Sequence, residues 1–178
     1  MHTFLIMVFI ILLADFYKTE VEVKLYKLEN CQSAKNLTIM FKFENLITTN
    51  NKMLMNYTSY VKEDVTNPIS IVVYSKKCLF KDNLDTCEDM PVLQYNRFCE
   101  NVKKPNILLK EIIYKTTPFI DCPIRKGTYK TVNATFDINA LLAYQTKTYF
   151  WVTRSEIIEK STKKLLFCLF TKAQVIFK

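Results

Sequence analysis

One glycine, Gly127, and one histidine, His2, are all that this 178-residue chain has of either residue. A loop that cradles phosphate needs several glycines, so P-loop and dinucleotide turns are excluded. His2 lies in an N-terminal apolar segment expected to be removed, which leaves the mature chain without imidazole. Ser-His-Asp and Cys-His nucleophile systems, and His-ligated metals, are excluded with it. No two cysteines stand at the short spacing of a zinc knuckle, so no metal is expected. The adjacent acids Glu63-Asp64 and Glu88-Asp89 are the remaining chemical candidates. Neighbours on a strand face opposite ways, whereas a glycosidase needs two acids flanking one bond. The expectation is a protein that is not an enzyme, with no catalytic residue, no metal and no cofactor. Beyond the N-terminus no apolar run approaches the about 20 residues of a membrane-spanning helix.

What is present points to export. Phe4 to Ala14 is an apolar run of roughly eleven residues, too short to span a bilayer and suited to a signal-peptide core. Residues 1–18 are read as a signal peptide, with cleavage between 14 and 19, although its first residues carry no Lys or Arg. Residues 19–178 then form a single domain. Six cysteines in an exported chain indicate disulfides whose pairing the count leaves open. The sequons at Asn36, Asn56 and Asn133 predict solvent-facing glycosylation sites. The expected location is secreted and extracellular, with a lysosomal destination as the second option. The net charge is +8; scattered basic residues in an exported protein serve solubility or contact with an anionic membrane surface, and no nucleic-acid partner is expected.

Period-2 alternation of apolar and polar residues marks half-buried strands at Thr19–Leu28, Leu37–Leu46 and Met53–Val61. In the second, Ile39, Phe41 and Phe43 share a face; in the third, Met53, Met55, Tyr57 and Val61 do, leaving Asn56 outward. Ile69–Tyr74 reads as a short buried strand. Ser75–Pro105 reads as a loop-rich excursion with a helical turn near Leu93–Val102, and Ile107–Tyr114 fits strand or helix equally. After a corner at Cys122–Gly127 come strands at Thr128–Phe136, Lys147–Thr153 and Leu165–Phe177, with a charged stretch over Arg154–Lys164. No long amphipathic helix is visible. The fold class is all-β, a two-sheet β-sandwich or open β-cup with three disulfides.

Cys31 after the first strand, Phe98-Cys99 in the excursion, Asp121-Cys-Pro-Ile-Arg-Lys-Gly-Thr-Tyr129 and Cys168 in the last strand form a pattern. It resembles the secreted arthropod relatives of the ganglioside activator protein, in the lipid-recognition (ML-like) group, over essentially the whole mature chain. After Phe136 the chain lacks the proline and glycine common there in that family. The resemblance implies a lipid cavity between splayed sheets and the disulfide pairs Cys31–Cys168, Cys78–Cys87 and Cys99–Cys122. It also implies a non-enzymatic carrier or accessory role: binding lipids or other hydrophobic ligands, extracting them from membranes, or acting in chemosensation. The candidate ligand contacts are Phe41, Phe43, Met53, Met55, Tyr57, Leu108, Ile112, Phe136, Leu141, Leu142, Tyr149 and Trp151. Among them Leu141 and Leu142 belong to an apolar loop placed as a lip for transient membrane contact. The expected partner is a lipid or other hydrophobic small molecule. The alternative is a secreted glycoprotein with a filled core that acts by protein–protein contact at a receptor or enzyme.

Overall fold

The computed structural model describes residues 21–32, 36–49, 52–103, 107–137 and 147–177. The signal-peptide reading, and the lip at Leu141 and Leu142, fall outside these residues. The strands are β1 (Val21–Asn30), β2 (Ile39–Thr49), β3 (Lys52–Val61), β4 (Ile69–Cys78), β5 (Cys87–Asp89), β6 (Leu93–Tyr95), β7 (Thr116–Thr117), β8 (Gly127–Asp137), β9 (Tyr149–Glu159) and β10 (Leu165–Phe177). Two short helices, α1 (Phe98–Lys103) and α2 (Ile107–Tyr114), precede β7.

The strands form two antiparallel sheets in a β-sandwich. One runs β1-β10-β9-β4-β5 with β6 also on β4; the other runs β2-β3-β8-β7. β5 and β6 pair with successive halves of the same edge of β4, so they act as one edge strand interrupted at Met90-Pro91-Val92. Pro91 lacks an N–H, which accounts for the break in the ladder. β1 lies against β2 across the sandwich, and there the sheets are stitched by side chains. The Asn30 carboxamide donates to the Phe41 carbonyl at 2.7 Å and accepts from the Phe41 N–H at 3.1 Å. The Thr48 hydroxyl donates to the Val23 carbonyl at 2.9 Å. On the other side α1 packs on β4 and α2 on β8, so the helices span from one sheet to the other.

Two apolar clusters join the sheets. At one end Ile39, Val61, Val65 and Tyr129 meet Ile69, Leu166 and Phe167, with Phe41, Phe98 and Leu169 packed against them. At the other end Val21 and Val175 gather Val23, Met53, Trp151 and Phe177. Burying such side chains drives the pairing at roughly 25 cal/mol per Å² of apolar surface.

The cysteines pair as Cys31–Cys168, Cys78–Cys87 and Cys99–Cys122, the pairs the resemblance implies. The first ties β1 to β10, the second closes the β4–β5 hairpin, and the third fastens α1 to the corner before β8. That corner is held by more than its disulfide. Ile124 and Val65 exchange backbone hydrogen bonds of 2.8 and 3.1 Å. The Asp64 carboxylate accepts from the Lys126 N–H at 2.6 Å and from the Arg125 guanidinium at 2.9 Å. Arg125 is therefore a structural partner of Asp64. The Tyr129 hydroxyl donates back to the Arg125 carbonyl at 2.8 Å. Gly127 sits at φ +157°, and a Cβ there would meet only Tyr129, at 3.9 Å. The glycine is required by backbone conformation, not by crowding.

One open reading is settled and two sequence expectations change. Ile107–Tyr114 is helical from end to end. β4 runs four residues past Tyr74, to Cys78, because its outer half pairs with β5. The charged stretch after Thr153 continues as β9 to Glu159, where every residue pairs with β4 or β10 up to the turn.

Candidate functional site

Cross-strand register decides which residues share a face, since opposite partners point the same way. In the β2-β3-β8-β7 sheet, Phe43, Tyr57, Thr131 and Thr116 form one row. Leu46, Met55 and Ala134 form the next, followed by Thr48, Met53 and Phe136. Met53 belongs to an inter-sheet cluster, so these rows face the other sheet. In the facing sheet, Trp151 and Ile157 of β9 belong to the two clusters. The intervening Thr153 and Ser155, and Tyr149 beyond Trp151, therefore face inward with them. On β10 the inward set includes Phe167, Leu169, Thr171 and Ala173.

The structure thus brings eight of the predicted contact residues to the inner faces: Phe41, Phe43, Met53, Met55, Tyr57, Phe136, Tyr149 and Trp151. Phe41 crosses the gap, its ring centroid 4.5 Å from that of Phe167, and stacks on Tyr57 at 5.0 Å; Phe43 lies 5.7 Å from Tyr57. Ile112 is half-buried in α2, and its carbonyl accepts from the Thr116 hydroxyl at 2.6 Å. Leu108 has its backbone in α2, while its side chain, like Leu141 and Leu142, lies outside the described residues. Phe150 and Phe170, also in aromatic runs, face outward; Phe150 is covered by Tyr26 at 5.7 Å.

The inner faces are unevenly filled. Met55 and Tyr57 are buried, yet Phe41, Phe43, Met53, Phe136, Tyr149 and Trp151 are only half-buried, as are Thr153, Ser155 and Thr171. Burial raises the Tyr57 phenol above its ordinary value, opposed by hydrogen bonds with Thr131 and Thr116. Those two threonines also bond each other at 2.7 Å, so this polar cluster is satisfied within the protein. The Trp151 indole Nε1 is not: it is shielded from solvent and has no hydrogen-bond partner. The inner faces present apolar rings and thioethers with a few uncharged donors, an arrangement that holds hydrophobic molecules and orients them weakly.

No protein-family model and no curated protein matches this chain. Among solved structures it aligns with the X-ray structure of Northeast Structural Genomics Consortium target SoR45, over 89% of this chain and 87% of that one. The two are 10% identical and the TM-score is 0.22. A superposition this loose adds nothing to the strand pairing already described.

Sequence reasoning missed two features. A groove of about 530 Å³ lies on the outer face of the five-stranded path, lined by Tyr74, Met90, Val92, Val152, Arg154 and Phe170 among others. Glu156 at its floor is only 5% exposed and pairs with Arg154. The signal was the alternation of Val152, Arg154 and Glu156, which the charged-stretch reading hid. The second is an exposed apolar tip between β4 and β5, where Leu79, Phe80 and Leu84 are 60%, 62% and 52% exposed. Cys78 pairs with Phe150, so this tip stands at the same end of the sheet as Tyr149 and Trp151.

At the sequons, Asn36 and Asn133 are exposed and both have positive φ, 69° and 54°. Asn56 is half-buried on the outer face, and its side-chain oxygen accepts the Asn133 N–H at 2.6 Å. The two therefore meet at the β-bulge where the β3–β8 register shifts.

Proposed function

We propose that the protein is a secreted, non-enzymatic carrier that holds a lipid or similar hydrophobic ligand between its two sheets. The observation that carries this reading is the state of the inner faces. A filled sandwich core buries its inward aromatics, as Tyr57 is buried; here Phe43, Met53, Phe136, Tyr149 and Trp151 face inward and are only partly buried. Each lipid methylene placed against such surface contributes about 0.8 kcal/mol, so a chain of ordinary length supplies ample affinity. The resemblance to the ganglioside-activator relatives agrees with this role. Three disulfides fit an oxidising, extracellular setting.

The exposed tip at Leu79, Phe80 and Leu84 fits transient contact with a membrane, beside the end of the sandwich where Tyr149 and Trp151 lie. The reading is tested by uptake of a fluorescent fatty-acyl probe from vesicles. Wild-type protein is expected to take up the probe saturably, Met53→Glu to reduce uptake, and Phe80→Ser to slow transfer while leaving equilibrium uptake intact. A folded protein that takes up no probe sinks the proposal.

A second reading, protein–protein contact at a receptor or enzyme, draws on the outer groove. Its apolar walls and paired charges, Arg154 with Glu156 and Lys76 with Asp89 at 3.2 Å, suit a protein surface.

A further inference from the structure

The inner face of the β1-β10-β9-β4 sheet carries an uncharged polar band. Thr171 and Thr153 are direct cross-strand partners, and Ser155 and Trp151 flank Thr153 on the same face of β9. Among the described residues none of the three hydroxyls forms a side-chain hydrogen bond, and the Trp151 Nε1 is buried without an acceptor. Among the described residues of the opposing sheet, the inward Thr131 and Thr116 hydroxyls bond each other at 2.7 Å and the Thr48 hydroxyl bonds the Val23 carbonyl. The nearest inward cation is Lys77, in register with Trp151, and it is engaged. Its ammonium lies 4.9 Å from the Tyr149 ring centroid and 3.6 Å from the Glu88 carboxylate.

A buried N–H without an acceptor is costly, and natural interiors rarely leave one. We infer that the Trp151 indole N–H and the Thr153–Thr171 band hold the carbonyl of a neutral acyl lipid, an ester or amide, whose chain lies along the inner aromatics. This rests on the carrier reading and narrows its ligand. A pure hydrocarbon leaves the N–H unpaired, and a carboxylate brings a charge that the band has no free counter-charge to meet.

The chain has one tryptophan, so it gives one indole N–H signal in a ¹⁵N NMR spectrum. The test titrates the intact, disulfide-bonded protein with methyl palmitate, hexadecane and palmitate at neutral pH. Methyl palmitate is expected to bind about tenfold more tightly than hexadecane or palmitate, the worth of one satisfied buried donor. It should also move the indole signal downfield, which hexadecane does not. Trp151→Phe should abolish the ester preference, so that methyl palmitate and hexadecane bind that variant with equal affinity. Should Trp151→Phe fold poorly, Thr153→Val with Thr171→Val is expected to lower the ester preference while leaving the indole signal in place. Equal affinity for ester and hydrocarbon, equal affinity for palmitate, or an unmoved indole signal overturns the inference and leaves the carrier reading standing. Binding of none of the three probes overturns both.

Discussion

The disulfides differ in how much chain they enclose, and the difference is a stability prediction. Cys31–Cys168 closes 137 residues, Cys99–Cys122 closes 23, and Cys78–Cys87 closes 9. Loop-closure entropy gives about 5, about 3.4 and about 2.6 kcal/mol in that order. Cys168 and Cys78 are both fully buried, so each double variant also loses the packing of one buried sulfur, and the difference between them is left to loop closure. The Cys31 N–H also donates to the Cys168 carbonyl at 3.0 Å, but that bond and the β1–β10 ladder survive in the folded variant. The perturbation is the double substitution Cys31→Ala with Cys168→Ala, set against Cys78→Ala with Cys87→Ala. Urea unfolding followed by the fluorescence of Trp151 is the assay. The first variant should lose about twice the free energy of the second, a third or more of the stability of an ordinary domain. Equal losses, or a larger loss for the short loop, would show that chain entropy does not govern these bonds.

Other predictions follow from single contacts. Gly127→Ala should destabilise by about 1–3 kcal/mol, because only glycine adopts φ +157° without strain; an unchanged thermal midpoint refutes the requirement. The carboxyls of Glu63, Asp64 and Glu159 lie below their ordinary values, held chiefly by hydrogen bonds from Lys164, from the Lys126 N–H and from Thr162 respectively. Lowered native values mean that their stabilisation is in place above the ordinary carboxylate range near pH 4 and is lost as pH falls through the native values. The thermal midpoint should drop in that window, and Asp64→Asn should flatten the drop; a wild-type midpoint level down to about pH 3 contradicts this. Tyr57→Phe should cost about 1–2 kcal/mol by removing a buried hydroxyl from the Thr131–Thr116 cluster, as read by chemical denaturation. Glycopeptide mapping is expected to find occupied sites at the exposed Asn36 and Asn133, and unmodified peptide at both would refute the outward placement.

Much of the strand set was legible in the sequence because alternation encodes a face. Ile39, Phe41 and Phe43 face inward as their spacing says. Beyond Phe43 a bulge shifts the phase, leaving both Glu44 and Asn45 exposed and turning Leu46 inward. Nothing in a period-2 pattern marks that extra residue. The same limit hid the β8 bulge, where Asn133 supplies a positive φ that Asn tolerates. Ile107–Tyr114 was ambiguous because so few apolar residues satisfy both periods, and packing on β8 decides for helix. In the candidate site, spacing placed Phe43, Met53 and Trp151 on inner faces but carried no information on depth. Half-burial depends on the distance between sheets, which is set by the Phe41–Phe167 contact and the Asn30 and Thr48 stitches from distant parts of the chain. The Asp64 clamp on Arg125 and Lys126 was illegible for the same reason, since its partners are more than sixty residues apart.

The central claim, a hydrophobic ligand held between the sheets, is tested most directly by native mass spectrometry of the protein expressed in cells in its disulfide-bonded form. The account predicts a population heavier than the chain with whatever glycans it carries by the mass of one lipid, which is released as an organic-extractable molecule on unfolding. A folded protein that carries no extra mass, and acquires none after incubation with acyl lipid vesicles, contradicts it.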